Sequence, residues 1–182
     1  DQEAADLALE IFDSIVARIE RREFRTDPEP LPPGYRAHGI PMILLNTSHQ
    51  LVKALRALGH PEAGRVAGRR ALFAREIIED FIGPDGLIRE LIRDSGRDDQ
   101  NLLGRYVNPG HTLEGMWFLM HYALELAGRE RRQLLDLICR VMEVTYRLGW
   151  DEEYGGLFHF VDADGGQPRG DLGELAGDPL AK

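Results

Sequence analysis

Two glycine-leucine steps, Gly86-Leu87 and Gly156-Leu157, stand 70 residues apart in this chain of 182. Each closes a tight turn, Gly83-Pro84-Asp85-Gly86 in one case and Tyr154-Gly155-Gly156 in the other. Each also opens a short strand-like run, at 87–92 and at 157–162. The repeat unit implied is two helices plus a small β excursion. Helix pairs of this kind cannot bury their apolar faces alone and must stack on neighbours, as a solenoid or a closed toroid. Short β hairpins gathered on one edge favour the toroid, where such loops crowd over a central cavity. The fold class expected is therefore all-α.

Five segments read as helices. In the first, Leu7, Ile11, Ile15 and Ile19 line one face, joined by Phe12 and Val16, and the segment ends near Arg21-Arg22, where cations suit a helix C-terminus. The stretch 27–35 carries four prolines and reads as a loop. The second helix starts at Pro41 and ends at Gly59, and the third runs from Pro61 to about Ile82. The fourth covers 109–128 and the fifth about 130–149. Met42, Leu45, Trp117, Phe118 and Met120 are expected on inner faces that meet facing hairpins.

Composition narrows the function. With 22 Lys+Arg against 31 Asp+Glu, the formal charge is −9, and no basic cluster exists to bind nucleic acid or an anionic membrane. No apolar run approaches the roughly 18–20 residues of a membrane span. Cys139 is the single cysteine, which excludes an internal disulfide and fits a reducing cytoplasm. The chain begins Asp1-Gln2-Glu3 and stops at Lys182 without a closing element. It reads as one domain, 1–182, with both ends expected to be internal to a longer protein.

The strongest local feature is Asn108-Pro109-Gly110-His111-Thr112-Leu113-Glu114. Asn108 is a good cap, Pro109 a good first residue, and His111 falls in the first turn. At 100° per residue His111, Glu114, Phe118 and His121 share one helix face. The helix dipole disfavours imidazolium there, whereas Glu114 favours it, which suits a base working near neutrality. The alternative is a capping carboxylate beside a histidine satisfied by backbone. A metal pair is less well supported, since His-x-x-Glu needs further ligands that no motif supplies.

In the second helix, Asn46 and Gln50 lie four apart within an apolar stretch. Buried amides need partners, which are either sugar hydroxyls or a loop carbonyl. His49 is expected outside the site, and His38 and His60, beside turns, are expected to be solvated. Asp151-Glu152-Glu153 could be paired carboxylates for glycoside hydrolysis but reads better as a solvated acidic turn. Asp162-Ala163-Asp164-Gly165-Gly166 lacks the ligands of a calcium loop and reads as a hairpin turn.

Three ordered motifs carry a resemblance. The segment 108–114 with Trp117-Phe118-Leu119, the segment 149–164 with Gly149-Trp150-Asp151 and Asp162-Ala163-Asp164, and Ile40-Pro41-Met42-Ile43-Leu44-Leu45-Asn46 together resemble the N-acylglucosamine 2-epimerase family. The resemblance implies an α/α toroid of six helical hairpins, of which this chain is a central portion. It implies that His111 is one of two general acid/bases, that Glu114 supports it and contacts sugar, and that Asn46 lines the pocket. Arg105 and Trp117 join Asn46 and Gln50 as substrate-binding residues. Relatives acting on unmodified sugars carry a histidine four residues after that asparagine. Gln50 stands there in this chain, which tilts the expectation toward an N-acylhexosamine.

The implied reaction inverts C2 of the open-chain sugar and needs one base on each face, with no metal or redox cofactor required. ATP is a regulator of some members, but no phosphate loop is present here. A homodimer is compatible with the family. The competing readings are an aldose–ketose isomerase or a mannose or cellobiose 2-epimerase on the same fold, and a non-catalytic helical scaffold. The second base is expected outside these residues, so the piece alone is expected to be inactive.

Overall fold

The computed structural model describes residues 1–26, 30–97 and 100–166. Five α-helices dominate: α1 (Gln2–Glu20), α2 (Gly39–Ala57), α3 (Ala63–Glu76), α4 (Pro109–Glu125) and α5 (Gly128–Gly149). Four short strands accompany them: β1 (Tyr35–Ala37), β2 (Leu91–Arg93), β3 (Tyr106–Val107) and β4 (Val161–Asp162). The last turn of the third predicted helix is a π-helical segment, Ile77–Phe81, which follows α3 directly. Among the described residues no helix is long and apolar enough to cross a membrane.

The 70-residue repeat is structural and keeps its register. In β1–β2, Arg36 pairs with Ile92 and Ala37 with Leu91. In β3–β4, Tyr106 pairs with Asp162 and Val107 with Val161, so all four positions advance by 70. The unit is therefore strand, helix pair, tight turn, strand, with the closing strand returning to pair with the opening one. The expected hairpins survive only as isolated bridges, Ile82 to Ile88 and Trp150 to Leu157. Gly86 and Gly156, which close those two turns, have φ of 81° and 96°, backbone that favours glycine.

The two units lie side by side, α2 against α4, with α3 and α5 each packed on its own partner. One core gathers Met42, Leu45, Phe81, Met116, Leu119 and Ile138 between them. A second joins α1 to α2 and α3 through Leu9, Phe12, Val16, Val52, Leu55 and Val66. The buried face of α1 is thus Ala5-Leu9-Phe12-Val16, and the expected Leu7-Ile11-Ile15 stripe is exposed. α1 carries two apolar stripes on roughly opposite sides, and periodicity alone does not say which is covered.

The expected inner face needs a similar correction. Met42, Leu45 and Phe118 are buried between α2 and α4, and Met120 packs partly against the same core. Only Trp117 is open, together with Ile43 and Leu124 on the same two helices. Asp151 closes its own turn by accepting from the amides of Glu153 and Tyr154, while Glu152 and Glu153 are exposed, as an acidic turn should be. The Asp162 carboxylate likewise accepts from the Asp164 amide, and the Gly165 amide returns to the Asp162 carbonyl, giving the expected turn.

Candidate functional site

The site is built where the two repeat units meet. β3 ends at Val107, Asn108 is extended at φ −106°, and its side chain accepts the His111 amide at 3.1 Å. That cap orients the first turn of α4 and projects His111. The imidazole Nδ1 lies 3.1 Å from Oε1 of Glu90. Glu90 stands just before β2, and its backbone is held from both sides. Its carbonyl accepts the His38 amide at 2.9 Å, and its own amide donates to the Tyr106 carbonyl at 2.8 Å. The carboxylate is only 15% exposed, against 43% for the His111 side chain. The ring is thereby left half open to solvent while its partner is largely covered.

The electrostatics follow from this arrangement. The hydrogen bond to Glu90 holds the His111 imidazole above its ordinary value against burial, and the charges of Glu90 and then Glu114 add to it. Glu114 is exposed, so its influence on the ring is only through charge. The carboxylate in hydrogen-bond reach of the ring is Glu90, 21 residues earlier. No periodicity along 88–92 marks it in the sequence. Ile88 and Ile92 are buried at 1% each, but Arg89 is covered to 4% as well and Glu90 lies in a bend just before β2, so the run shows no clean alternation.

His38, expected in solvent, is fully buried. It occupies the cap position of α2, as Asn108 does for α4 one repeat later. Among the described residues neither ring nitrogen has a hydrogen-bond partner, the ring tilts against Phe81 at 5.6 Å, and burial followed by the His111 charge pushes it down to about 3. It is a neutral ring under physiological conditions. His60 is also not solvated: its ring is largely buried, with Nε2 3.0 Å from Asp6 and Nδ1 accepting the Glu62 amide.

The remaining sequence candidates are spread along α2, α4 and the loop between units. Asn46 is half-buried and Gln50 exposed, with the Gln50 amide donating to Asn46 Oδ1 at 3.5 Å. The buried polar group of α2 is instead Ser48, whose hydroxyl donates to the Leu44 carbonyl at 2.6 Å. One repeat later Asn46 would be position 116, so it lies about five residues, roughly 7 Å, deeper along its helix than His111. No hydrogen bond joins the two among the described residues. His49 meets His121 in a tilted contact at 5.3 Å and approaches Arg70 and Glu125, and His121 also meets Trp117 at 5.7 Å. The single face expected for His111, Glu114, Phe118 and His121 therefore divides: Phe118 enters the core and His121 belongs with His49. The Arg105 guanidinium donates to Asp162 at 3.2 Å, tying the short 3₁₀ turn Leu103–Arg105 to β4. A cavity of about 330 Å³ between the end of α1, the proline loop and the start of α2 lies away from His111.

Comparison with known proteins agrees with the motif reading. The family model for N-acylglucosamine 2-epimerase (GlcNAc 2-epimerase) matches residues 2–172. The bovine N-acylglucosamine 2-epimerase is 33% identical over 160 residues, covering 87% of this chain and 36% of the relative. The human N-acylglucosamine 2-epimerase is 32% identical over 159 residues, covering 86% and 36%. A crystal structure of D-mannose isomerase superposes with a TM-score of 0.60 at 16% identity, covering 77% of this chain and 36% of that one. That likeness places the fold among the α/α barrels, and the chain spans about a third of the length of the relatives it matches. On the strength of the match over residues 2–172, the chain belongs to the N-acylglucosamine 2-epimerase family.

Proposed function

We propose that the protein carrying this chain inverts C2 of an N-acylhexosamine, interconverting N-acetylglucosamine and N-acetylmannosamine through the open-chain aldehyde. The observation that supports this reading most is the His111–Glu90 pair at 3.1 Å, a half-exposed imidazole backed by a buried carboxylate. In the step assigned to it, the C2–H bond breaks, its proton passes to His111 and the electron pair moves to the aldehyde oxygen, giving an enolate that keeps the acylamino group on C2. Return of a proton to the opposite face completes the inversion, and that second acid/base is a group other than His111. Hydrogen-bond donors near the enolate oxygen stabilise the developing charge. Asn46, Gln50, Arg105 and Trp117 are the substrate-binding residues of this reading, and Gln50 in place of a histidine favours the N-acyl sugar. Neither a metal nor a redox cofactor enters this step. The protein works as a small-molecule enzyme, without nucleic-acid or membrane partners.

The test is proton NMR of N-acetylmannosamine, mannose and cellobiose incubated with the full-length protein in deuterated water. Deuterium at C2 of N-acetylmannosamine with N-acetylglucosamine as product supports the proposal. Exchange confined to mannose or cellobiose moves the substrate to an aldose–ketose isomerase or a 2-epimerase of unmodified sugars. Exchange in none of them leaves a non-catalytic scaffold. His111→Asn should reduce exchange about 10²–10⁴-fold, as loss of a general base does.

A further inference from the structure

The two glutamates near His111 differ in ways the family motif does not distinguish. Glu90 is largely buried, is hydrogen-bonded to Nδ1 and has its backbone gripped by the His38 and Tyr106 peptides. Its Oε1 also lies 3.9 Å from where a Cβ on Gly39 would stand, in the first turn of the 19-residue helix α2. A helix N-terminus is a favourable place for a carboxylate. Glu114 is exposed and sits one turn along α4.

We infer that the two carboxylates divide the work, resting on the acid/base role proposed for His111. Glu90 is the positioning residue, holding the ring with its proton on Nδ1 so that Nε2 is the nitrogen exchanging protons with substrate. Glu114 does not orient the ring and is free to meet sugar hydroxyls. A carboxylate on the far nitrogen both selects the tautomer and stabilises the imidazolium as it forms, without itself taking the proton. The charged and titratable groups facing His111 are Glu90 from the run before β2, Glu114 from its own helix and His38 from the start of α2. His38 is neutral and buried, so the titration of His111 reports mainly on the two glutamates.

The experiment is ¹⁵N NMR of the full-length protein labelled at histidine, with His111 assigned by its loss in His111→Asn. In the wild type, the neutral ring should carry its proton on Nδ1 and titrate above the ordinary histidine value. A neutral ring protonated on Nε2 overturns the inference without any variant being needed. Glu90→Gln should lower the titration midpoint and mix the tautomers. Its kcat should fall about 10²-fold or more, in line with loss of an orienting carboxylate. Glu114→Gln should leave the tautomer unchanged, raise KM and lower the midpoint by less than Glu90→Gln does. A larger shift in Glu114→Gln than in Glu90→Gln also overturns it. The ring titration is read without turnover, so a protein that exchanges no sugar would sink the proposed function while still testing Glu90.

Discussion

A Cβ on residue 115 would stand 3.0 Å from both Cε1 and Nε2 of His38. Gly115 lies one turn beyond His111 on α4, so the buried ring of His38 occupies the notch that the missing side chain leaves. The contact locks α4 against the start of α2 at the level of the His111–Glu90 pair. Gly115→Ala should therefore destabilise the protein by about 1–3 kcal/mol, the range for overpacking a filled site. His38→Ala opens the notch, so the double variant should be less damaged than the sum of the singles. Denaturant midpoints of the four proteins decide it, and additive effects would show that the two residues do not share the space.

His38 should also make the protein sensitive to mild acid. Unfolded, its ring titrates near 6.5, whereas in the fold burial pushes it down to about 3. Between those values the unfolded chain holds a proton that the folded chain does not, so stability falls as pH drops from about 6.5 toward 3. At roughly 1.4 kcal/mol per unit the loss reaches several kcal/mol in the limit. His111 has the opposite sign. Its folded value is raised, so its stabilisation is complete below the unfolded value and is lost as pH rises through the folded one. His38→Leu should flatten the acid slope while costing little at pH 8, because it removes an imidazole with no partner. Thermal unfolding between pH 4 and 8 measures this, and an unchanged slope in the variant would count against it.

Much of this molecule was legible in its sequence, and the parts that were not have physical reasons. Pro109 and Asn108 marked the start of α4, and Gly59 followed the end of α2 within two residues, because caps are local chemistry. The 70-residue spacing of Gly86 and Gly156 gave the repeat, since a positive φ restricts the choice of residue. Pairings across the unit were hidden. Nothing local tells Leu91 that it will face Ala37, or Glu90 that it will reach His111. The burial of His38 was missed for the same reason: a histidine beside a turn is ordinarily wet, and only the contact with Gly115 and Phe81 makes it otherwise.

Arg70 is 4% exposed and makes a two-pronged ion pair with Glu125, at 2.6 and 2.7 Å, which joins α3 to the end of α4. The Arg70 hydrogen bonds, aided by Arg56, hold the Glu125 carboxyl down to about 2. Removing only the acid, as in Glu125→Ala, leaves a buried guanidinium without its counter-charge. Losses of about 3–5 kcal/mol are typical for fully buried pairs, and the part-exposed carboxylate brings the expectation to about 2–3 kcal/mol. Replacing both partners, Arg70→Met with Glu125→Leu, should recover most of it. Urea denaturation of the singles and the double tests this, and a double variant as weak as Glu125→Ala would contradict the account.

Asn108 carries the last prediction, because one side chain there serves both stability and the site. Its Oδ1 accepts the His111 amide at 3.1 Å, and the residue is only 4% exposed. Asn108→Ala removes the cap and should cost about 1 kcal/mol, whereas Asn108→Ser keeps an acceptor at a cap position that favours Ser equally. The same loss frees the first turn that aims His111 at Glu90. The Ala variant should therefore also show a lower His111 titration midpoint by ¹⁵N NMR and a smaller kcat, with Ser restoring both. If Ala lowers the unfolding midpoint but leaves the His111 titration where it was, the cap stabilises the helix without positioning the base, and the link between the two would have to be given up.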